Sequence, residues 1–119
     1  MKKILLALVV MLATFAASAQ KSASLSAKAL QSGKSTGTYV FVMPSDITTA
    51  RVDEVKGYYK QYFSVNYNQV KHEATLVLIE NKEMNKRVIL RFLASLGTQT
   101  VNVDGKDKTL DEFFDNDLK

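Results

Sequence analysis

The chain of 119 residues contains no cysteine. Without thiols it forms no disulfide, has no cysteine nucleophile and cannot build a thiolate site for zinc or copper. Exported domains of this size often use disulfides, because a small core gives little stability. The absence therefore excludes thiol chemistry and predicts a two-layer domain that is held together by packing alone.

Runs of basic residues are also absent. The chain has 16 Lys and Arg against 12 Asp and Glu, but its cations are scattered and form no row that could follow a phosphate backbone. We therefore expect no nucleic-acid partner. Two of the lysines lie in an N-terminal segment that we expect to be removed. The remaining 14 basic and 12 acidic residues then leave a net charge of only +2.

A long hydrophobic run occurs only at the N-terminus. Lys2 and Lys3 precede the stretch ILLALVVMLATFAA, and Ala17-Ser18-Ala19 supplies a small-residue cleavage motif. This combination is typical of a secretory signal peptide, and the run is too short for a lasting membrane span. We predict cleavage after Ala19, a periplasmic or secreted protein, and no stable membrane anchor after cleavage. An uncleaved N-terminal anchor is the alternative.

The next segment, residues 20–36, is small, polar and poor in branched apolar residues. Such a composition buries too little surface to offset the entropy of ordering, so it predicts a flexible tether. Residues 37–119 then form a single domain. Proline occurs once, at position 44, where it ends the apolar strand TYVFVM.

Hydrophobic periodicity and capping residues predict the elements of this domain. They are a strand at 38–43, a helix capped by Ser45 or Asp46, strands at 64–68 and 73–80, a helix capped by Asn81, a strand at 98–103, and a short helix behind a Thr109–Glu112 capping box. The β-α-β-β-α-β order predicts an α+β, ferredoxin-like sandwich of four antiparallel strands with two helices on one face. An irregular α+β domain with other strand pairing is the alternative.

Three loops of this topology meet at one end of the sandwich, namely 43–48, 68–72 and 97–98. A ligand could contact several loops there, beside a helix N-terminus whose free N–H groups favour anions. The candidate ligand-binding loop comprises Met43, Ser45, Asp46 and Thr48, joined by His72 from the hairpin.

The segment Met43-Pro44-Ser45-Asp46-Ile47-Thr48, followed by R-V-D, resembles the metal loop of heavy-metal-associated domains. In that family an M-x-C-x-x-C loop precedes an apolar helix that commonly begins R-V-E. The resemblance extends over residues 38–103. It implies a ferredoxin-like fold, and a Met43 side chain that points into the core.

Ser45 and Thr48 stand where the two cysteines of that loop would be. Hydroxyl groups are poor substitutes for thiolates toward Cu(I) and Zn(II). Together with Asp46 they are interpreted as helix caps. We therefore expect no cofactor. The alternative is a weak site for a copper or zinc ion that uses His72, the only histidine, together with Met43.

The residues for an enzyme are incomplete. Acylphosphatases share this fold class, but they need a glycine-rich loop and a phosphate-binding arginine that enters the first helix. Here the loop has no glycine and Arg51 lies within the predicted helix. Ser45, His72 and Asp46 contain the groups of a Ser-His-Asp triad, yet no nucleophile elbow or oxyanion glycine accompanies them. The sequence predicts a protein that is not an enzyme.

Tyrosines cluster around the first helix and the second strand of the predicted domain. Tyr59 and Tyr62 fall on the inward stripe of the helix, whereas Tyr58 and Tyr67 are expected to be exposed beside an edge strand. Exposed aromatic side chains at an unpaired strand edge are suited to a protein partner. The leading prediction is therefore an exported, non-enzymatic binding domain.

Overall fold

The computed structural model describes residues 21–119, so the predicted signal peptide lies outside the described residues. The elements are β1 (Ser22–Leu25), α1 (Ala27–Thr36), β2 (Thr38–Val42), α2 (Thr49–Lys56), β3 (Phe63–Asn68), β4 (Glu73–Leu78), α3 (Glu83–Ser95), β5 (Thr100–Val103), β6 (Lys106–Thr109) and α4 (Leu110–Phe113), which continues into a π-helical turn (Phe114–Leu118).

The strands form one six-stranded sheet in the order β3-β4-β2-β1-β5-β6. The sheet is mixed, because β1 and β5 are parallel while the other neighbours are antiparallel. The predicted α+β class is confirmed, but the predicted sheet of four antiparallel strands is not what forms. The four predicted strands are present as β2, β3, β4 and β5. Strand β1 lies between β2 and β5, and β6 extends the sheet beyond β5.

Residues 21–36, for which the sequence predicted a flexible tether, instead form β1 and α1. In β1, Ala23 and Leu25 point into the core while the intervening serines do not. Ser26 caps α1, because its Oγ accepts the N–H of Ala29 at 3.0 Å. Small residues suit β1 because the strand is paired on both sides and needs little side-chain volume.

Helix α1 packs on the sheet at very short range. A Cβ atom at Gly33 would lie 2.4 Å from a ring carbon of Tyr39, so only glycine allows this approach. The Tyr39 ring is fully buried, and burial raises the pKa of its hydroxyl to about 12. The glycine in the predicted tether is therefore a packing residue.

The helices cover one face of the sheet and leave the other open. Tyr39 contacts α1, and Phe41 meets Phe113 of α4 edge-on at 6.2 Å between ring centroids. Phe63 meets Phe92 of α3 in the same way at 5.6 Å. All three strand residues belong to the set that points toward the helices, so the core lies between the sheet and a single helical layer.

The helix and turn boundaries test the capping predictions individually. The Thr109–Glu112 capping box is confirmed. The prediction of Asn81 as a cap was wrong, since its amide donates to the carbonyl of Lys34 at 3.0 Å and α3 begins after Lys82 without a side-chain cap. Asp104 opens the turn between β5 and β6 with a positive φ of 49°.

Across residues 21–119, none of the helices combines the length and the apolar character needed to cross a bilayer.

Candidate functional site

Backbone and ionic contacts bring the three predicted loops to the same end of the sheet. The N–H of Met43, after β2, donates to the carbonyl of His72, before β4, at 2.6 Å. Lys21 forms an ion pair with Asp46, and its carbonyl accepts the N–H of Gln99 at 2.9 Å. The start of β1 therefore joins the 43–48 loop to the start of β5.

The first loop contains both a core residue and a helix cap. Met43 is 3% exposed, in line with the core position that the family resemblance implies. Thr48 is the N-cap of α2, because its hydroxyl accepts the N–H of Arg51 at 3.2 Å. Of the three residues interpreted as caps, only Thr48 caps the helix. Ser45 is exposed, and its hydroxyl makes no hydrogen bond within the described part of the chain.

Asp46 is held by a lysine that lies outside the predicted domain. The Lys21 ammonium donates to the Asp46 carboxylate, and this hydrogen bond lowers the pKa of Asp46 below its ordinary value of 3.8. Both side chains are about half exposed. Sequence reasoning missed Lys21 because it assigned the residue to a tether. The alternation of the following SASL segment was the available signal.

The hairpin between β3 and β4 is tied to α2. The side-chain oxygen of Gln69 accepts hydrogen bonds from both the N–H and the hydroxyl of Thr49, each at 2.8 Å. Tyr67 donates its hydroxyl to the carbonyl of Ile47 at 2.8 Å. Burial, and secondarily the charge of Asp46, raise the pKa of Tyr67. These contacts fix the hairpin against the loop.

His72 occupies a strained position at the end of this hairpin. Its backbone is left-handed, with φ at 58°. Its Nδ1 is buried and has no hydrogen-bond partner among residues 21–119. Over the same residues, no group of three or more histidine, aspartate or glutamate side chains is placed to hold a metal ion.

Most polar groups of this end already have a partner within the protein. The Asp46 carboxylate binds Lys21, the Thr48 hydroxyl caps a helix, and the Tyr67 hydroxyl binds a backbone carbonyl. Ser45 and the His72 imidazole are the predicted site groups without such a partner in the described chain. The arrangement brings the predicted residues to one end but does not converge their reactive atoms on one point.

The tyrosines predicted at the partner edge differ from each other. Tyr58 is 73% exposed, as expected, whereas Tyr67 is half-buried and hydrogen-bonded, so the prediction of its exposure was wrong. Tyr67 faces inward because its register opposite Ala74 places it on the core side of β3.

A groove of about 280 Å³ runs beside β3, between that strand and the turn after α2. Its lining consists of Lys56, Gly57, Lys60, Phe63, Ser64 and Val65. Tyr58 belongs to the same turn, between Gly57 and Lys60. The sequence signal for this groove was the predicted edge strand with neighbouring aromatic residues.

Comparisons of the chain with protein-family models, with curated proteins and with solved structures found no match.

Proposed function

We propose that this chain is an exported, non-enzymatic binding domain that contacts a protein partner through the β3 side of its sheet. The observation that carries the proposal is the exposure of Tyr58 in the turn that contributes Gly57 and Lys60 to the groove along the edge strand. A large aromatic side chain that is 73% exposed contributes little to the fold, but it is a residue type that contributes strongly at interfaces.

The chemistry of the loop end supports a binding scaffold. Asp46 and Thr48, which occupy the metal-loop segment, bind Lys21 and the α2 backbone. Their function in our proposal is therefore to hold the loops and the sheet together.

We extend this proposal to the ancestry of the scaffold. The segment from β2 to β5 keeps the β-α-β-β-α-β succession of heavy-metal-associated domains, and Met43 is buried as in their loops. In this proposal the domain is a ferredoxin-like core into which β1 has been inserted next to β2.

Site-specific photo-crosslinking tests the binding proposal. Tyr58 is replaced by p-benzoylphenylalanine in the full chain, expressed in the source cells. The matched control carries the same residue at Val70, which is 91% exposed in the β3–β4 turn. We expect a discrete crosslinked protein in the exported fraction from position 58 and not from position 70. No crosslinked product at position 58, or the same products at both positions, would contradict the proposal.

A weak metal-binding function is the second candidate, and one observation favours it. The backbone hydrogen bond between Met43 and His72 makes these two residues neighbours, and the buried Nδ1 of His72 lacks a partner among the described residues. An imidazole and a thioether are suitable ligands for copper. In this alternative the two side chains hold a copper or zinc ion.

Metal titration distinguishes the two candidates. Cu(I), Cu(II) and Zn(II) are added separately while the backbone amide resonances, which every variant retains, and the ring resonances of His72 are followed by NMR. The binding-domain proposal predicts no saturable change. A saturable change that disappears in both His72→Ala and Met43→Leu would replace that proposal with the metal-binding one.

A further inference from the structure

Strand β3 has unpaired backbone groups along its outer edge. The carbonyl of Tyr62 accepts the N–H of Ile79 at 2.9 Å, which fixes the phase of the hydrogen bonds between β3 and β4. In an antiparallel ladder such pairs alternate, so Ser64, Asn66 and Asn68 hydrogen-bond with β4. The residues between them direct their backbone groups away from β4.

Those outward-facing residues are Phe63, Val65 and Tyr67. The N–H of Phe63 is taken up by the carbonyl of Tyr59 at 3.2 Å. The N–H groups of Val65 and Tyr67 donate to no acceptor among residues 21–119. An added antiparallel strand needs N–H donors and carbonyl acceptors on residues that are two positions apart. Val65 and Tyr67 provide both.

The β3 edge also lacks the usual protection against strand addition. Its sequence FSVNYN has no charge and no proline, and its register with β4 runs without a bulge from Phe63 to Asn68. Natural edge strands are commonly blunted by lysines, prolines or bulges.

The groove beside this edge indicates the side chains that an added strand would carry. Phe63 and Val65 give the groove an apolar floor. The Lys56 ammonium lies 3.2 Å from the Asp53 carboxylate, while Lys60 has no ion pair in the described chain. No acidic residue lines the groove. An apolar side chain with a neighbouring carboxylate therefore complements this surface.

A second copy of the chain complements it less well. Antiparallel pairing of two β3 strands would leave Lys60 of each copy without a carboxylate, because the β3 sequence FSVNYN carries no charge. An acidic strand would supply that carboxylate. The charge of the groove thus favours a different, acidic occupant.

We propose that β3 binds an extended, acidic segment of a partner protein as a seventh strand of the sheet. The hydrogen bonds form at Val65 and Tyr67, an apolar side chain enters the groove, and a carboxylate lies beside Lys60. This inference rests on the proposed function, since it names the chemistry of the partner at the Tyr58 side.

The direct test uses two blocked synthetic peptides. The acidic probe is a peptide of about eight residues that alternates valine and threonine and carries a glutamate at each end. The basic probe has lysine in place of both glutamates. We expect saturable binding of the acidic probe, with amide shifts centred on Val65 and Tyr67. Affinity for the basic probe should be about three- to tenfold weaker, because exposed charge pairs contribute modestly.

Variants then locate the site. Lys60→Glu should reverse the preference between the probes, whereas the matched change Lys106→Glu at the opposite edge should leave it unaltered. Val65→Pro removes an outward N–H without removing a hydrogen bond to β4. It should therefore lower the affinity for the acidic probe at least about tenfold. If that variant unfolds, Val65→Lys replaces it, with the same expectation.

Three results would overturn the inference: no saturable binding of the acidic probe, amide shifts that avoid β3, or dimerisation of the chain through β3. Failure of the inference is distinguishable from failure of the proposed function. If the Tyr58 crosslink persists unchanged in Val65→Pro, the partner is real and strand addition is wrong. If the acidic probe binds at Val65 but Tyr58 captures no partner, strand binding stands and the proposed function is wrong.

Discussion

The two edges of the sheet differ in charge. Strand β6, Lys106–Thr109, has the sequence KDKT, in which three of four residues are charged. Strand β3 at the opposite edge is six residues long and has none. Charged residues on an edge strand oppose pairing with another chain, and their absence permits it. The difference indicates that one edge is closed to strand addition and the other is open to it.

The edges also differ in how they are anchored to the core. In β3, the ring of Phe63 stacks on Tyr59 at 6.1 Å and meets Phe92 edge-on at 5.6 Å. In β6, a half-buried ion pair of 2.6 Å joins Lys108 to Asp117 beyond α4. Aromatic burial stabilises more than a partly solvated ion pair. The open edge therefore has the stronger anchor.

The largest predicted effect comes from removing the Phe63 anchor of β3. Phe63→Ala should lower the free energy of unfolding by about 3–5 kcal/mol, because it deletes a fully buried ring between two other aromatic rings. Urea unfolding followed by far-UV circular dichroism measures it. Tyr58→Ala, in the turn that contributes to the same groove, serves as the exposed aromatic control. It should change the free energy of unfolding only slightly. A loss below about 1 kcal/mol for Phe63→Ala would contradict the account.

A smaller effect is expected at the charged edge. Asp117→Asn should lower the free energy of unfolding by about 1–2 kcal/mol, since Lys108 loses the carboxylate that accepts its hydrogen bond. The matched change Asp115→Asn, at an exposed position of the same turn, should cost much less. If Asp117→Asn destabilised the chain as much as Phe63→Ala, the proposed difference between the two anchors would be wrong.

Neutralising β6 should open the closed edge. The double change Lys106→Thr with Asp107→Thr removes two charges and should alter stability by no more than about 0.5 kcal/mol. It should also promote self-association, because the one charged residue left in β6, Lys108, is paired with Asp117 and the edge then offers its unpaired backbone groups. Sedimentation velocity at matched concentrations compares its average mass with that of the native chain. An unchanged mass would show that charge is not what closes this edge.

The smallest predicted effect concerns the centre of the sheet, where Lys21 precedes β1. The pKa of Asp46 is below 3.8 in the folded chain, so its ion pair adds stability above that pH and loses it as the pH falls through the folded pKa. Lys21→Ala should raise this pKa toward 3.8, whereas Lys28→Ala should not change it. Carbon-detected NMR titration of the Asp46 carboxyl measures both. Equal titration in the native chain and in Lys21→Ala would contradict the ion pair.

The strands rich in apolar residues could be predicted from the sequence, whereas β1 and β6 could not. Strand β2 combines branched and aromatic residues and β4 is rich in branched aliphatic ones, so their hydrophobic pattern was clear. Strand β1 has only Ala23 and Leu25 as inward residues, and β6 has no apolar residue at all. Strand β1 is stabilised by pairing with β2 and the distant β5, and β6 is stabilised by its hairpin with β5. The composition of each segment reports neither contact. The strand that follows the turn at Asp104 was not predicted.

The candidate site shows the same limit in its details. Helix-cap chemistry predicted the start of α2 to within three residues. The spacing of the residues did not show which of Ser45, Asp46 and Thr48 is the cap. The pairing of Asp46 with Lys21 depends on where β1 enters the sheet, so it could not be predicted while β1 itself was missed. The exposure of Tyr67 was mispredicted because it depends on strand register, which places the residue opposite Ala74.

Amide hydrogen exchange at Val65 tests the central claim most directly. In the free chain, we expect fast exchange of the Val65 amide and slow exchange of its neighbour Asn66, which hydrogen-bonds with β4. Saturation with the acidic probe should slow amide exchange at Val65 at least about tenfold and leave amide exchange in Lys106–Thr109 unchanged. A Val65 amide that is already protected in the free chain, or one that exchanges at the same rate with the probe bound, would contradict the claim that β3 is an open edge.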